Sequence, residues 1–264
     1  MKVNAFITPH RSERMAECQD CFAINPGTAA AAVSDGVSQS IFPLEWARLL
    51  AGFFVRSGPP SDAERRALCH AWRESVQDWI VEEKALGHNP WRAESNLAEG
   101  LSAGATLCGV VFWDEQTWTC DVLGDSCLLV VGRDGAVGIV SSEQKAFDTS
   151  PDYLDSHPLQ PGRGRFRHVE GTLKEGECLI LVSDPFSEFL SRRGDKAPGR
   201  VRELRDVDSH AAFVSLVERW RADGMHDDDS TAVIIEWDGS DRFNLDRTDD
   251  VAALIAAENE LRHE

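Results

Sequence analysis

The chain has 264 residues, of which 42% are hydrophobic and 27% charged, and its formal net charge is −18. This length suits one large globular domain or two small ones. No run of 18 apolar residues occurs, which argues against a membrane-spanning helix, and the first residues lack the apolar core of a signal peptide. Because an acidic surface repels phosphate backbones, we expect no nucleic-acid binding, whereas cation binding stays open.

The seven cysteines are an odd number, and most of them lie in apolar runs. This pattern favours free thiols and a reducing cytoplasm over a disulfide framework. Cys18 and Cys21 form a C-x-x-C pair, but neither a second pair nor histidine ligands accompany it. A zinc site therefore has little support.

The first elements in chain order are a hairpin and two amphipathic helices. Residues 20–36 predict two strands around an Asn-Pro-Gly turn. Apolar residues spaced by three and four predict a helix near 43–56. A second helix is predicted over 61–86, where Ser61 and Glu64 have the spacing of a capping box.

The second half of the chain reads mainly as strands. Short apolar segments joined by short turns predict antiparallel strands between 104 and 140. We expect a polar loop over 141–170, a buried strand over 177–183 and an irregular basic segment over 191–207.

The end of the chain predicts one more helix and strand before an acidic tail. A third helix contains Phe213 and Trp220, and the last core strand covers 231–237. The order of the elements predicts antiparallel sheets with helices on their outer faces rather than a βαβ repeat. We expect a core over 1–238 and a peripheral helical appendage over 239–264.

Aspartates recur at the ends of the apolar strands. The set comprises Asp20, Asp35, Asp125, Asp184 and Asp228. Since Asp20 begins one strand of the hairpin and Asp35 ends its partner, antiparallel pairing places both at one sheet edge. Asp184 and Asp228 share an edge if their strands are antiparallel neighbours.

Gathered carboxylates repel one another unless a cation lies between them. Oxygen-only ligands suit Mg²⁺ or Mn²⁺, and two such ions can activate a water molecule for attack on a phosphoryl group. The alternative interpretation is that aspartate and glycine simply mark turns, and we retain it for Asp134 and Asp238.

Five segments in order resemble the metal-dependent type 2C Ser/Thr protein phosphatases, in their divergent bacterial branch. They are ECQDCFAI, AAVSDGVSQS, GATLCGVV followed by VLGDSCLLVV, ECLILVSDPFSEFL and DDSTAVII. The resemblance extends from about residue 10 to 238. It implies an α+β fold in which two antiparallel β-sheets form a central sandwich flanked by helices, in four layers (α-β-β-α).

The resemblance also implies a function for the 1–238 domain. It implies hydrolysis of phosphoserine or phosphothreonine in proteins, with two and possibly three Mn²⁺ or Mg²⁺ ions and no covalent intermediate. A cognate Ser/Thr kinase is a possible partner. The implied ligands of the two main ions, or residues that support them, are Asp20, Asp35, Gly36, Asp184 and Asp228, with Asp125 a candidate for a third, weaker ion. Asp20 and Asp35 are also the implied catalytic residues.

Some positions depart from the family pattern. Gln19 stands where an acid often precedes the first aspartate, and Pro185 replaces the glycine after Asp184. Met15 occupies the place of the arginine that binds phosphate, so Arg14 is the candidate for that catalytic role and Arg11 the alternative. These departures leave open a second function: a catalytically degenerate module that binds a phosphoprotein or a signalling partner.

Two other patterns have weaker support. The G-x-S-x-G string around Ser102 lacks the preceding strand and following helix of a nucleophile elbow, which argues against a serine hydrolase. The basic residues between Arg192 and Arg205 suggest either a docking surface for an acidic partner or a solvated loop.

Overall fold

The computed structural model describes residues 1–142, 152–157, 165–240 and 243–260. The strands within these ranges are β1 (Lys2–Thr8), β2 (Asp20–Asn25), β3 (Ala30–Asp35), β4 (Gly104–Ala105), β5 (Leu107–Phe112), β6 (Thr117–Leu123), β7 (Cys127–Val131), β8 (Val137–Val140), β9 (Leu154–Asp155), β10 (Arg167–Thr172), β11 (Cys178–Val182), β12 (Ser230–Glu236) and β13 (Asn244–Thr248). The helices are α1 (Pro43–Ser57), α2 (Asp62–Ala85), α3 (Trp91–Ala98), α4 (Asp184–Ser191), α5 (Ala197–Arg205), α6 (His210–Ala222) and α7 (Val251–Glu260).

Two sheets form the centre of the molecule. The first has the strand order β13-β1-β12-β11-β7-β8 and the second has the order β10-β6-β5-β3-β2. Neighbouring strands are antiparallel, except that β13 runs parallel to β1. Strands β4 and β9 form a separate two-stranded ladder.

The apolar core has three sections, which separate four layers. One section lies between the two sheets, where Val3 of β1 and Val33 of β3 are fully buried. A second lies between α1, α2 and the outer face of the second sheet, around Trp46. The third lies between the first sheet and α4, α5 and α6, around Phe186 and Trp220. The four-layer α+β fold implied by the resemblance is confirmed.

The helix α1 shows how the sequence produces this packing. Trp46, Leu50 and Phe54 recur at helical spacing and are fully buried against the second sheet. Gly109 of β5 permits the close approach, because a Cβ atom there would lie 2.3 Å from the ring of Phe54. The indole N–H of Trp46 donates to the carbonyl of Leu154 at 2.8 Å, which satisfies its one buried polar atom.

The capping box predicted for α2 is confirmed. The hydroxyl oxygen of Ser61 accepts from the backbone N–H of Glu64, and the Glu64 carboxylate accepts from the backbone N–H of Ser61 at 2.9 Å. The helix predicted through Phe213 corresponds to α6, and the strand over 231–237 corresponds to β12.

The structure corrects two local predictions. Strand β9 lies inside the predicted loop 141–170, and β10 lies partly inside it. Strand β9 has only two residues and most residues of β10 are exposed, so neither carries an apolar run. The segment 191–207 is not irregular but contains a 3₁₀ turn (Gly194–Lys196) and α5. Gly199 near its start lowers the helix propensity, and burial of Val201 and Leu204 in its later turns stabilises the helix. Residues 143–151 and 158–164 of the predicted loop lie outside the described ranges.

The segment after 238 contains the predicted helix, α7, and also strand β13 at the edge of the first sheet. Val251, Leu254 and Ile255 of α7 pack against an apolar cluster that contains Met15 and Cys18. The division of the chain at residue 238 stays a prediction. Within the described residues, no helix combines the length and the apolar composition needed to span a membrane.

Candidate metal centre

Asp20 and Asp35 are held together by the hairpin of β2 and β3. The two residues are direct partners in its antiparallel register. Directly opposite residues project from the same face of a sheet, with Cβ atoms about 4.5–5.5 Å apart. The predicted hairpin is therefore present, and it brings these two carboxylates to one edge.

Asp184 and Asp228 lie at a common end of the first sheet. Strands β11 and β12 are antiparallel neighbours; Asp184 follows β11 and Asp228 precedes β12. Two hydrogen bonds join the residue before Asp184 to the start of β12. Ser183 N–H donates to the carbonyl of Thr231 at 3.1 Å, and Thr231 N–H donates to the hydroxyl oxygen of Ser183 at 2.9 Å. Because β11 and β12 are antiparallel neighbours, Asp184 and Asp228 share one sheet edge, as we expected for this pairing.

The two pairs of acids influence each other electrostatically at Asp35. Burial raises the pKa of Asp35 well above its ordinary value, and nearby carboxylates raise it further. Those carboxylates belong to Asp20, Asp184, Asp125 and Asp228. Burial likewise raises the pKa of Asp184, followed by the charge of Asp125 and then of Asp20.

Asp20 is the most deeply buried of the five aspartates, at 2% exposed. Burial, followed by the charge of Asp229, raises its pKa to about 8. The hydroxyl groups of Ser183 and Thr231 lower this pKa, but neither reaches hydrogen-bond geometry. Both carboxylate oxygens are buried, and no described residue donates a hydrogen bond to either. Such a group is costly unless a cation or a proton compensates its charge.

The donor chemistry of this cluster fits a hard divalent cation. The converging side chains are all carboxylates, which are the ligands that Mg²⁺ and Mn²⁺ prefer. The unpartnered oxygens of Asp20 point to the same conclusion. The described residues nevertheless contain no group of three or more His, Cys, Asp or Glu side chains already arranged to hold a metal ion.

Gly36 lies directly after Asp35, where the chain has no room for a side chain. A Cβ atom at Gly36 would lie 2.7 Å from the Cβ of Pro43 and 3.0 Å from the carbonyl oxygen of Gln19. The Gly36 N–H donates to that carbonyl at 3.2 Å, and the Asp35 carbonyl accepts from Thr106 N–H at 2.9 Å. Gln19 and Thr106 therefore fix the main chain at the junction of Asp35 and Gly36.

Asp125 lies in the tight turn between β6 and β7. Gly124 before it has φ +93°, a conformation that favours glycine. The backbone carbonyl of Asp125 accepts from the hydroxyl of Ser187 in α4 at 3.1 Å. This bond joins the turn to α4, the helix that begins at Asp184. Among the nearby charges, that of Asp125 raises the pKa of Asp184 the most.

The structure does not bring Arg14 to the five aspartates. Its guanidinium is exposed and contacts Glu17, with Nε 3.0 Å from Oε2. Arg11 is also exposed and pairs with Glu218 at 2.8 Å and with Asp227 at 3.9 Å. Met15 is buried in the apolar cluster beneath α7.

Asp229 is a supporting residue to which the sequence reading gave no role. Its Oδ1 accepts from the backbone N–H of His10 at 2.8 Å, and its Oδ2 accepts from that of Gln19 at 2.6 Å. This carboxylate therefore fixes both ends of the loop that leads to Asp20. The run of three acids at 227–229 was the available signal, but it does not show which acid faces the loop.

The two departures at Gln19 and Pro185 have different consequences. Pro185 lies in the first turn of α4, where proline needs no hydrogen-bond donor, so Asp184 begins a helix directly. The side-chain oxygen of Gln19 is buried without a hydrogen bond from any described residue. Gln19 is thus neutral at a position where an acid would add charge.

The remaining sequence candidates do not form sites. All seven cysteines are free and buried, and burial raises the pKa of the Cys21 thiol to about 12. Ser102 follows a helix and precedes a strand, the reverse of a nucleophile elbow. Arginines of the basic segment pair with neighbouring acids, such as Arg193 with Asp223 at 3.3 Å. These pairs favour a solvated surface over a docking surface for an acidic partner.

Comparison with protein-family models gives a match over most of the chain. The family model described as protein phosphatase 2C matches residues 8–227. No curated protein sequence matches the chain significantly.

The fold is similar to solved bacterial structures at low sequence identity. "PppA, a key regulatory component of T6SS in Pseudomonas aeruginosa" is 18% identical with a TM-score of 0.56, and the match covers 89% of this chain and 96% of that one. The Mycobacterium tuberculosis serine/threonine phosphatase PstP/Ppp is 15% identical with a TM-score of 0.55, covering 88% and 96%. The S. agalactiae serine/threonine phosphatase is 15% identical with a TM-score of 0.55, covering 89% and 98%. The family match over most of the length shows that this chain belongs to the protein phosphatase 2C family.

Proposed function

We propose that the protein is a Mn²⁺- or Mg²⁺-dependent phosphatase that hydrolyses phosphoserine and phosphothreonine in proteins. The observation that carries this proposal is the cluster of four buried or half-buried aspartates around Asp35, with no described residue donating a hydrogen bond to either oxygen of Asp20. When bound, two divalent ions supply positive charge to the phosphoryl group and lower the pKa of the attacking water.

The residues of this chain hold and orient that chemistry. Asp20, Asp35, Asp184 and Asp228, with the carbonyl of Gly36, are the proposed ligands of two ions. Asp125 is the proposed ligand of a third, weaker ion. Asp20 and Asp35 share one sheet edge, so they are the proposed catalytic aspartates that fix the reacting centre relative to the sheet.

A positively charged side chain is also needed to bind the substrate phosphate. Arg14 is the proposed residue and Arg11 its alternative. Both guanidinium groups are exposed and paired with surface acids, and exposed pairs of this kind are weak. A substrate phosphate therefore displaces such a carboxylate at little cost.

The direct test is hydrolysis of p-nitrophenyl phosphate and of a phosphothreonine peptide with added Mn²⁺. We expect turnover that EDTA removes and that Asp35→Asn reduces by roughly 100-fold or more. Asp134→Asn is the matched control, because Asp134 is an exposed turn residue that accepts from Ala136 N–H at 3.0 Å.

Gln19 and Pro185 support the second candidate function, a degenerate module that binds a phosphoprotein without turnover. Wild-type protein that binds Mn²⁺ and a phosphopeptide but hydrolyses neither substrate would favour this function. We propose a signalling role with a phosphoprotein partner, and a possible cognate kinase, in either case. The free thiols support a cytoplasmic location, and the net charge of −18 argues against nucleic acid and anionic membranes as partners.

A further inference from the structure

Arg221 lies near the end of α6, and its side chain is only 2% exposed. Arginine is almost never buried to this extent unless its charge and donors have partners. One terminal nitrogen donates to the backbone carbonyls of Pro9 and Asp228, at 3.0 and 2.6 Å. Arg221 thus joins two segments that are far apart in the sequence: the loop after β1 and the turn before β12.

Two carboxylates balance the charge of Arg221. Its other terminal nitrogen donates to Oε1 of Glu218 at 2.9 Å, and its Nε lies 3.2 Å from Oδ1 of Asp227. The same Asp227 oxygen accepts from the backbone N–H of Arg11 at 3.3 Å. The loop after β1 is therefore held at two points: the Arg221 guanidinium binds the Pro9 carbonyl, and Asp227 binds the Arg11 N–H.

These contacts fix the main chain beside the candidate metal ligands. The Asp228 carbonyl is held by Arg221 and by the hydroxyl of Ser230 at 3.0 Å, while the Asp228 side chain stays half exposed. The next residue, Asp229, holds the loop that leads to Asp20. The turn at 227–229 and this loop are thus both held by Arg221.

We propose that Arg221 is a positioning residue for divalent-cation binding: it sets the main-chain position of Asp228 and of the loop that ends at Asp20. The inference rests on the metal-dependent function proposed above. Arg221 contacts neither ion nor substrate in this account. It acts through the carbonyls of Pro9 and Asp228. Its loss should therefore lower the affinity for Mn²⁺ even in a variant that is fully folded.

The test compares Arg221→Met with Arg205→Met. Arg205 is a matched control because it holds the opposite end of β12, donating to Glu236 at 2.5 Å and to the carbonyl of Gly176 at 3.3 Å. Mn²⁺ binding is measured from the EPR signal of free Mn²⁺, at a temperature where circular dichroism shows each variant fully folded. The Mn²⁺-dependent rise in Tm provides a second readout that needs no activity.

We expect Arg221→Met to weaken Mn²⁺ binding roughly 10–100-fold, the usual effect of residues that support a ligand. Arg205→Met should lower Tm but bind Mn²⁺ like the wild type. Arg221→Lys keeps the charge but not the forked geometry, so it should bind with intermediate affinity, and it decides the question if Arg221→Met does not fold.

Wild-type affinity in a folded Arg221→Met or Arg221→Lys variant would overturn this inference and leave the proposed function intact. An equal loss of Mn²⁺ affinity in Arg205→Met would also overturn it, because the effect would then be one of general stability. A wild-type protein that binds no Mn²⁺ would overturn the proposed function and the inference together.

Discussion

Asp20 and Asp35 lie directly opposite each other in the antiparallel pair of β2 and β3. Like charges at directly opposed positions of a sheet are destabilising, and burial of both carboxyls increases the cost. The fold without a bound cation therefore carries an unfavourable interaction at the edge of this hairpin. This pairing lowers the stability of the metal-free protein, and we attribute it to the proposed binding of metal ions.

Asp35→Asn should separate the electrostatic cost of this pair from its proposed role in metal binding. In metal-free buffer, removal of one charge from the buried pair should raise the Tm, by about 2–4 °C for each kcal/mol gained. The same variant should lose the stabilisation that Mn²⁺ gives the wild type by mass action, about 2.7 kcal/mol at 100 times Kd. Differential scanning calorimetry with EDTA and with Mn²⁺ measures both.

Asp134→Asn provides the control for this experiment, since it removes an aspartate of the same charge from an exposed turn. It should leave the Mn²⁺-dependent rise in Tm unchanged. A metal-free Asp35→Asn protein less stable than the wild type would contradict the view that repulsion dominates at this pair.

Gly36→Ala should be more disruptive than a typical glycine substitution. The new Cβ would lie 2.7 Å from Pro43, at the start of α1, and 3.0 Å from a main-chain oxygen. Overpacking of this kind costs about 1–3 kcal/mol. The displaced chain carries Asp35, so Mn²⁺ affinity should fall as well.

Gly199→Ala is the matched control for that substitution. Gly199 lies inside α5, and a Cβ atom added there would meet no other atom within 4 Å. Alanine there should stabilise the protein by about 0.5–1 kcal/mol and leave Mn²⁺ affinity unchanged. Urea unfolding compares the two variants; equal effects of the two substitutions would remove the special role assigned to Gly36.

The parts of the fold that sequence reasoning found are those with strong local signals. The hairpin at Asp20 and Asp35, the stripe of α1 and the capping box of α2 each follow from residue spacing. The hairpin also supplied the correct pairing of the first two aspartates. Local pattern was enough there because the contact partners are close in sequence.

The missed elements depend on distant partners. Strand β1 was not predicted, although it lies between β12 and β13 in the first sheet. Helix α3 has only eight residues, too few for a long apolar stripe, and most residues of strand β10 are exposed. Arg221 carries no motif at all, and only the structure shows that its guanidinium reaches Pro9 and Asp228.

His210 should make the attachment of the C-terminal segment dependent on pH. Its Nδ1 lies 2.8 Å from Oδ2 of Asp249, which also accepts from the backbone N–H of Ile7 at 2.9 Å. The hydrogen bond with Asp249 raises the pKa of His210 above 6.5. A raised histidine pKa gives stability that is fully present below 6.5 and is lost as pH rises through the folded-state pKa.

The measurement is urea unfolding of the wild type and His210→Gln at several pH values. The wild type should be the more stable protein at low pH, and the difference should shrink as pH rises above 6.5. His88→Gln, which alters an exposed histidine paired with Glu83, should not reproduce this trend. A difference that grows with pH would show that the sign is wrong.

The phosphate-binding arginine can be identified by kinetics. Loss of a charge-assisted hydrogen bond costs about 1.5–3 kcal/mol, or roughly 10–150-fold in kcat/KM. We expect Arg14→Gln to show this loss with a phosphopeptide, and Arg11→Gln to show it if Arg11 takes the role instead. Arg192→Gln, which breaks an exposed pair with Glu188 on α4, should have no effect. Unchanged kinetics in both test variants would exclude both arginines from phosphate binding.

The most direct test of the central claim is an anomalous difference map from crystals soaked in Mn²⁺, collected on both sides of the manganese absorption edge. The account predicts two strong peaks within ligand distance of the Asp35 carboxylate, with oxygens of Asp20, Asp184 and Asp228 around them or joined to them through water. Peaks elsewhere on the acidic surface, or no peak at Asp35, would contradict it.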